Sequence, residues 1–325
     1  MQLYPLKFTP LFKYRLWGGN KLKNLLNKEY SQDNIGESWE ISTVKDDKTL
    51  VSNGVYKGEN LTNLISEFKS AIVGKAVYKK FGNEFPLLIK FIDAKTPLSI
   101  QVHPNDEVAK QRHHSFGKNE MWYIMEADDN AELIVGFDKE LQKEEYQSII
   151  KNDDILDVLH HDKVSEGDTY FIPAGRVHAI GAGVLLAEIQ QTSDVTYRIY
   201  DYNRIDAKTG KLRDLHNDLA TDVIDFKTQS SYKTSYNKFE NISNKLVHSP
   251  YFKTNFIKLH NSVQKDYSSL DSFVIYICVS GEVVLNHNNN NFDVKRGETI
   301  LLPAAINSVK LTSKTPQSKI IEVYL

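Results

Sequence analysis

The chain has 325 residues, of which 41% are hydrophobic and 25% are charged, and its formal net charge at pH 7 is −2. This length suits two domains of ordinary size, and the composition is that of a globular rather than a disordered protein. A net charge near zero, without a long run of Lys and Arg, argues against a nucleic-acid partner. A small anionic ligand is compatible with this net charge, because two or three local cations are enough to bind it.

The N-terminal stretch and the cysteine content restrict the expected location of the protein and the ligands that a metal could have. Residues 1–19 lack the continuous apolar run of a signal peptide, and no segment reaches the length that spans a bilayer. We therefore expect a cytoplasmic protein without a membrane partner. Cys278 is the only cysteine, so an internal disulfide and a thiolate-rich zinc site are excluded. A metal would have to use histidine, carboxylate or amide ligands.

The first third of the chain predicts short strands and one helix. Residues 1–60 alternate apolar segments with glycine-rich turns, and residues 60–80 carry apolar side chains at helical intervals. Residues 85–102 predict two buried strands. Lys90 lies within the first of these strands, where a lysine is rare unless it is paired or functional, although its amine could also reach the surface.

The middle of the chain predicts a hairpin and further short helices. Residues 119–138 fit a hairpin with a polar turn, and residues 142–159 fit a pair of short helices. His160 and His161, which follow, are interpreted as solvated side chains rather than ligands. Residues 212–226 predict one or two further helical turns.

A polar segment divides the chain into two predicted domains. Residues 227–245 are poor in aliphatic side chains, which is typical of a connecting segment. Residues 1–226 would then form an N-terminal catalytic domain, and residues 246–325 a C-terminal barrel without metal ligands. From residue 246 onward, short apolar segments again predict strands.

An internal repeat links the two predicted domains. Residues 167–175 read GDTYFIPAG and residues 297–305 read GETILLPAA, so a glycine turn, a strand and a proline turn occur twice. Continuing this alignment places Ser308 opposite His178. Because the second copy keeps the turn without the histidine, the turn itself does not require one. This favours a chemical role for His178.

The first copy carries a more specific pattern, in which Gly167, Pro173, Gly175 and His178 are spaced so that rigid backbone presents one imidazole at a strand mouth. The pattern resembles the second signature motif of the cupin superfamily. It implies an all-β-dominated fold of two cupin (jelly-roll) β-barrels with a few short helices. In that fold His178 would be the last ligand of a divalent metal.

A predicted metal site is completed by three residues that precede His178 in the chain. Gln101 and His103 lie two apart on a predicted strand and therefore share one face, and Glu120 begins the next strand. Together with His178 they give two imidazoles, a carboxylate and an amide oxygen. That set suits one zinc ion per chain, although iron, manganese or cobalt could occupy it in vitro. Taken singly, each residue could be an ordinary polar side chain.

Three longer segments carry a closer resemblance. PLLIKFIDAKTPLSIQVHPND, GKNEMWYI and AEIQQTSDVTYRIYDYNR resemble type I mannose-6-phosphate isomerases, zinc enzymes of the cupin superfamily, in the short form that lacks the large helical insertion. The resemblance covers nearly the whole chain. It implies that Gln101, His103, Glu120 and His178 hold the zinc and that Arg198 is the catalytic arginine. It also implies a pocket lined by the other matched positions, which are Lys90, Ser99, Lys118, Glu188 and Asp194.

The implied reaction interconverts mannose 6-phosphate and fructose 6-phosphate through an enediolate. Zinc and Arg198 would stabilise the negative charge that develops on the sugar oxygens. The base is left open between Glu188, Asp194 and Lys118, with a carboxylate or a water near Glu188 preferred. Ser99 and Lys90 are predicted to bind the phosphate. Ser99 lies on the same strand face as Gln101 and His103, and Lys90 is a cation in a buried strand that needs an anionic partner.

Two other functions stay open at this point. One is a metal-dependent cupin dioxygenase that uses iron, and the other is a non-catalytic double cupin that binds sugar phosphates. Gln101 in place of a further histidine favours the phosphorylated sugar over oxygen chemistry, as do three cations, Lys90, Lys118 and Arg198. We expect the small-molecule sugar phosphate to be the main partner, and the chain to be a monomer or a weak homodimer.

Overall fold

A computed structural model of the chain describes residues 3–325, which fold mostly into β-strands with short helices between them. In residues 3–226 the strands are β1 (Phe8–Thr9), β2 (Leu11–Gly19), β3 (Ile35–Ile41), β4 (Thr43–Val44), β5 (Asp47–Lys48), β6 (Leu50–Val51), β7 (Leu87–Ala94), β8 (Ile100–Val102), β9 (Glu120–Ala127), β10 (Glu132–Phe137), β11 (Leu159–Lys163), β12 (Thr169–Ile172), β13 (His178–Ile180), β14 (Val184–Gln191), β15 (Tyr197–Tyr200), β16 (Ile205–Asp206) and β17 (Lys211–Leu212). The mostly-β class predicted from the sequence is confirmed.

The remaining strands and the helices complete the chain. The C-terminal strands are β18 (Ser243–His248), β19 (Lys253–Leu259), β20 (Ser262–Asp266), β21 (Val274–Ser280), β22 (Glu282–His287), β23 (Asn290–Lys295), β24 (Thr299–Leu302), β25 (Ser308–Ser313) and β26 (Ser318–Tyr324). The helices are α1 (Lys21–Asn24), α2 (Leu61–Phe68), α3 (Ser70–Val73), α4 (Lys75–Phe81), α5 (Asp106–His113), α6 (Lys143–Lys151) and α7 (Asn217–Thr221), with a 3-10 turn at Ile155–Val158. No helix within residues 3–325 is long and apolar enough to cross a membrane.

Two antiparallel sheets face each other in the first part of the chain and form what we call the first sandwich. One sheet has the strand order β12-β9-β14-β7-β2-β3, and the other has the order β11-β10-β13-β8-β15. Trp122 from the first sheet and Val135 from the second belong to the apolar core between them. Both sheets have free edges, so the strands described here form a sandwich rather than a closed barrel.

The C-terminal strands repeat this arrangement as a second sandwich. Its sheets have the orders β18-β19-β26-β21-β24 and β20-β25-β22-β23. Side chains from both sheets, including Tyr276 and Leu285, fill the space between them. The exact boundaries that the sequence predicted for two domains and their connecting segment stay a prediction.

The two sandwiches pack back to back through their larger sheets. Rings from the two sides lie close together, with centroids 4.6 Å apart for Phe85 and Phe273 and 6.0 Å apart for Tyr123 and Phe256. Every residue of β7 and β14 is buried, because one face of each strand lies inside the first sandwich and the other faces the second. This double burial explains the mainly apolar composition of these strands, which Lys90 interrupts in β7 and Glu188 in β14.

The structure corrects the single helix predicted over residues 60–80. Three short helices, α2 to α4, occupy this region, because Lys69 and Gly74 have φ of 52° and 94° and cannot continue a right-handed helix. A Cβ at Gly74 would lie 2.4 Å from the Asp271 carbonyl oxygen, so the helices turn where the chain touches the second sandwich. Strands β20 and β25 were not predicted, since both are short and mostly polar, although Val309 and Leu311 of β25 are buried.

The internal repeat seen in the sequence corresponds to one structural unit in each sandwich. Gly167 and Gly297 both have positive φ, of 90° and 83°, and the strands β12 and β24 follow them at the same spacing. His178 and Ser308 each begin the next strand, β13 and β25. His178 and Ser308 therefore occupy equivalent positions in the two sandwiches.

Candidate active site

Both sheets of the first sandwich contribute to one cluster of buried side chains. Gln101 on β8 lies directly opposite His178 on β13 in the five-stranded sheet, and His103 follows β8. Glu120 begins β9 in the facing sheet. The turn before β13 is held to this cluster because the Gly175 amide donates a hydrogen bond of 2.9 Å to the His103 carbonyl. A Cβ at Gly175 would lie only 2.8 Å from the Val223 carbonyl oxygen, so this approach requires glycine.

The four predicted metal ligands converge in the structure. Ligand atoms of His103, Glu120 and His178 all lie within 4.8 Å of one another. Glu120 Oε1 is 3.3 Å from His178 Nε2, and Glu120 Oε2 is 3.7 Å from His103 Nε2. The Gln101 amide is also close, with its Nε2 3.3 Å from His178 Nε2, and rotation of this amide would present its oxygen to the cluster instead.

Backbone carbonyls orient both imidazoles toward the centre of the cluster. His103 Nδ1 donates to the Val195 carbonyl at 2.9 Å, and His178 Nδ1 donates to the Arg176 carbonyl at 2.8 Å. These bonds place the ring proton on Nδ1 and leave Nε2 with a free lone pair, the usual arrangement for metal-bound histidine. Burial lowers the pKa of His178 to about 4 and that of His103 well below 6.5, so both rings are neutral at pH 7.

The cluster leaves several buried polar atoms without a hydrogen bond. Within residues 3–325 these include His103 Nε2 and both carboxylate oxygens of Glu120. Burial, followed by the nearby Glu188 carboxylate, raises the pKa of Glu120 above 4.5. Orphaned acceptors that point at one another are unfavourable by themselves and are satisfied by a cation between them. The residues present therefore fit a divalent metal with nitrogen and oxygen ligands.

A cavity of about 410 Å³ opens beside the cluster and reaches the edge of the first sandwich. Gln101 is common to the cavity wall and the cluster. The remaining predicted site residues also line it, namely Lys90, Ser99, Lys118, Glu188, Asp194 and Arg198. The residues predicted for the site therefore share one space, while their roles stay predictions.

Lys90 and Glu188 form a buried ion pair on the cavity wall. They lie opposite each other on β7 and β14, with Lys90 Nζ 3.2 Å from Glu188 Oε1, although without hydrogen-bond geometry. Glu188 Oε2 accepts a hydrogen bond of 2.9 Å from Trp122 Nε1. Burial opposes ionisation of Glu188, but Lys90 and Lys118 outweigh it and lower the pKa of this carboxyl below 4.5.

Lys118 lines the same cavity and contacts the metal cluster, with its Nζ 3.3 Å from Glu120 Oε2. Burial disfavours its charge, yet Glu120 and Glu188 outweigh burial and raise its pKa above 10.5 among the protein's own charges. Ser99 is buried in the cavity wall, whereas Asp194 is exposed at its rim. Of the three candidate bases, Glu188 is the one that is both buried and held as an anion.

Arg198 extends from β15 into the cavity. Its Nη1 donates to the Asp214 carbonyl at 2.8 Å, while its buried Nε has no hydrogen-bond partner among the described residues. Burial, followed by nearby Arg213, lowers its pKa below 12.5, and a guanidinium stays charged at pH 7 even so. A cation with a free donor beside a candidate metal can bind an anion.

The cavity also contains a trio that the sequence analysis did not select. Arg15 binds Glu37 through two hydrogen bonds of 2.8 and 3.0 Å, and Trp39 Nε1 donates to Glu37 at 2.6 Å. Burial opposes the charge of Glu37, but Arg15 and Lys90 lower its pKa to about 2. The trio had little signal in the sequence, since Glu37 lies in a segment where polar and apolar residues alternate as in a half-buried strand, whereas the structure buries every residue of β3.

Comparison with known proteins identifies the family. A model for the type I phosphomannose isomerase catalytic domain matches residues 6–139, and a model for the mannose-6-phosphate isomerase cupin domain matches residues 242–325. The chain is 35% identical to mannose-6-phosphate isomerase ManA of Bacillus subtilis, covering 96% of both chains, and 31% identical to a mannose-6-phosphate isomerase of Streptococcus mutans, covering 94% of both.

Solved structures agree with the sequence matches. The crystal structure of the mannose 6-phosphate isomerase from Bacillus subtilis superposes with a TM-score of 0.89 at 30% identity, covering 99% of both chains. A putative mannosephosphate isomerase from Archaeoglobus fulgidus shares the fold, with a TM-score of 0.78 at 23% identity over 100% of this chain and 99% of the other. The chain therefore belongs to the type I phosphomannose isomerase family, as its sequence motifs predicted.

Proposed function

We propose that this protein is a mannose-6-phosphate isomerase that interconverts mannose 6-phosphate and fructose 6-phosphate with one bound zinc ion. The observation that carries the proposal is the cluster of His103, Glu120 and His178, whose acceptors have no hydrogen bond within residues 3–325 and which Gln101 connects to a cavity of about 410 Å³ lined with several cations. A cavity of this size is in the usual range for small-ligand sites. Membership of the family supports the choice of substrate.

Gln101, His103, Glu120 and His178 would hold the metal. Nitrogen and oxygen donors without a thiolate suit zinc, and two imidazoles favour it over magnesium or calcium. When bound, the ion supplies positive charge that stabilises an oxyanion of the substrate. The backbone carbonyls that fix both imidazoles would maintain this ligand geometry.

Isomerisation requires a proton to leave C2 of the open-chain sugar and another to arrive at C1, through an enediolate. Arg198 carries a permanent charge and a free donor beside the cavity, so it would stabilise the developing negative charge. This stabilisation needs little reorganisation, because Asp214 already holds one end of the guanidinium.

Glu188 is our preferred base for the proton transfer. Its carboxyl is buried, is kept ionised by Lys90 and Lys118, and retains one oxygen without a hydrogen bond in the part of the chain that the structure describes. Lys118 is a weaker candidate, since the surrounding carboxylates keep it protonated, and Asp194 is exposed at the rim. Charge and burial thus favour a carboxylate over an amine in this role.

Lys90 and Ser99 are proposed to bind the phosphate. Both are buried in the cavity wall, and an ammonium group and a hydroxyl are suitable donors to phosphate oxygens. The ion pair of Lys90 with Glu188 lacks hydrogen-bond geometry, so the ammonium group keeps donors available for an anion.

A coupled assay on the purified protein tests the proposal. Mannose 6-phosphate should be converted to fructose 6-phosphate, the activity should disappear after chelation, and added zinc should restore it. Mannose without phosphate, at the same concentration, is the control for the phosphate site. A metal-loaded protein that binds mannose 6-phosphate without converting it would contradict the proposed activity.

No observation favours either alternative function. A dioxygenase would consume oxygen when loaded with iron, and a non-catalytic sugar-phosphate binder would show affinity without turnover, so the same sample separates them. The cytoplasmic location, the monomeric or weakly dimeric state and the lack of a nucleic-acid partner stay predictions.

A further inference from the structure

The edge of the five-stranded sheet in the first sandwich carries a feature that the proposed reaction does not by itself explain. Strand β15 is the last strand of this sheet, so one row of its backbone groups faces away from the neighbouring strand β8. Unpaired groups on such an edge leave a strand free to shift or fray. Arg198 lies in this strand, and its position therefore depends on what closes the edge.

His216 closes the edge with both its backbone and its side chain. The Arg198 backbone N–H donates to His216 Nδ1 at 3.1 Å, and the His216 backbone N–H donates to the Arg198 carbonyl at 2.7 Å. Together these bonds imitate the pair that a neighbouring strand would make. Two residues earlier, the Asp214 carbonyl accepts from Arg198 Nη1 at 2.8 Å. One short segment thus holds the backbone and the guanidinium of the same arginine.

We propose that His216 is a positioning residue for Arg198, fixing the backbone from which the guanidinium reaches into the cavity. This inference rests on the proposed function, because it takes Arg198 as the group that stabilises negative charge. His216 does not line the cavity itself, so it acts through the arginine rather than on the substrate.

We call the two backbone bonds between His216 and Arg198 the clamp. The clamp requires a neutral imidazole with its proton on Nε2, since Nδ1 has to accept the hydrogen bond from the Arg198 backbone N–H. The groups around the ring are the Arg198 guanidinium, the Asp214 carboxylate, His113 and the Tyr197 ring. Burial and the Arg198 charge lower the pKa of His216 below 6.5, against the opposing effect of Asp214. The acceptor is therefore present at neutral pH and is lost when acid protonates the ring.

Two substitutions separate the acceptor from the shape of the side chain. His216→Phe keeps a planar ring and removes the acceptor, whereas His216→Asn keeps an acceptor oxygen close to the position of Nδ1. We expect His216→Phe to lower kcat about 10- to 100-fold, as a small misplacement of a reacting group does, with KM and zinc content unchanged. His216→Asn should restore most of kcat and lose any acid-side fall in kcat that belongs to His216.

Hydrogen exchange gives a readout that is independent of activity. The Arg198 amide should exchange faster in His216→Phe than in the wild type, and His216→Asn should restore its protection. If the wild type does not isomerise mannose 6-phosphate, the proposed function fails while the exchange result still decides whether the clamp exists.

A double-mutant cycle with Arg198→Ala completes the test. In that background His216→Phe should have no further effect on kcat, since the arginine side chain that it positions is absent. The inference is overturned by a wild-type kcat in His216→Phe, by equal loss in the Phe and Asn variants, or by effects of the two sites that multiply independently.

Discussion

The two sandwiches place a buried glutamate at the same position of their larger sheets. In the first, Glu188 on β14 lies opposite Trp122 on β9, and in the second, Glu322 on β26 lies opposite Tyr276 on β21. The repeated strands β12 and β24 flank β9 and β21 in the same register. The two carboxylates are therefore equivalent in the framework, and only their surroundings differ.

Those surroundings give the two carboxylates different uses. Glu188 lines the cavity and keeps one oxygen without a hydrogen bond to any residue from 3 to 325. Glu322 is bonded by Lys265 at 2.8 Å, by Asn255 at 2.8 Å and by the Tyr267 hydroxyl. A buried charge whose partners are complete contributes to the fold, whereas one with a free oxygen beside a cavity remains available for chemistry.

The metal ligands show the same contrast. At the register of Glu120 the second sandwich has Val274, and at the place of His178 it has Ser308. Its interior space is about 10 Å³ and has an apolar lining, against about 410 Å³ beside the cluster in the first sandwich. The framework thus folds without the ligands, so the polar cluster of the first sandwich is retained for a role other than stability.

His178→Ser should have the largest effect, because it gives the first sandwich the residue that the second has at the equivalent position. We expect it to weaken metal binding by more than about 100-fold, since loss of groups that merely support a ligand already costs 10- to 100-fold. Activity should fall to background while the circular dichroism spectrum stays that of the wild type. Metal analysis after dialysis measures the loss, and Ser308→Ala is the matched control. Full zinc content in His178→Ser would remove the proposed ligand role.

Arg198→Ala is expected to separate charge stabilisation from metal binding. Loss of one preorganised donor to a developing oxyanion lowers kcat by about 100- to 1000-fold. Zinc content and the melting temperature should stay at wild-type values, because Arg198 lies beside the ligand cluster and not within it. Steady-state kinetics and metal analysis on one preparation check both points. Loss of zinc in this variant would mean that its low activity has another cause.

Lys90→Met tests the phosphate assignment with a side chain of similar length. A charge-assisted hydrogen bond is worth about 1.5–3 kcal/mol, so KM for mannose 6-phosphate should rise about 10- to 100-fold. Zinc content should change far less. Because the substitution also releases Glu188 from its cation, the KM for unphosphorylated mannose is the necessary control. An unchanged KM for the phosphorylated sugar would place the phosphate elsewhere.

Glu322→Gln tests the difference between the two glutamates from the second sandwich. It removes the charge that holds Lys265 and the Tyr267 hydroxyl, and should destabilise the protein by about 2 kcal/mol while leaving kcat unchanged. Glu188→Gln, its equivalent, should lower kcat with a smaller change in stability. Urea unfolding and steady-state kinetics on both variants give the four values. If the two variants behaved alike, the division of roles between the sandwiches would be wrong.

The sequence was most informative where one residue contradicted its local pattern. Lys90 was noticed for that reason, whereas His178 was noticed because it completes a glycine-proline pattern that resembles a cupin motif, and both lie in the site. The positions of most strands followed from apolar periodicity, except for exposed strands such as β20, whose polar residues carry little periodicity.

Other features depend on contacts between distant segments, which a sequence pattern does not contain. Arg15 and Glu37 are partners through pairing of β2 with β3, and the break at Gly74 follows from its contact with the second sandwich. His216 also lay outside the prediction, because its meaning appears only when β15 is known to be an edge strand. Features that depend on contacts between distant segments could therefore not be predicted from the sequence.

The ionisation of Glu322 should also make the stability of the protein depend slightly on pH. Burial opposes the charge of Glu322, but Lys265 outweighs it and leaves the pKa of this carboxyl below its usual 4.5. A carboxyl with a lowered folded pKa stabilises the fold fully above its unfolded pKa, and this contribution is lost as the pH falls through the folded value.

Wild-type stability should therefore fall as the pH decreases below about 4.5, and the fall should be shallower in Glu322→Gln. Urea midpoints measured at about pH 7, 5, 4 and 3.5 for both proteins check this difference. Glu37 has a pKa of about 2 and contributes with the same sign, but it is present in both proteins and cancels in the comparison. Parallel pH profiles would show that Glu322 has the same pKa in the folded and unfolded chains, and its ion pair with Lys265 would then contribute nothing to the difference between the sandwiches.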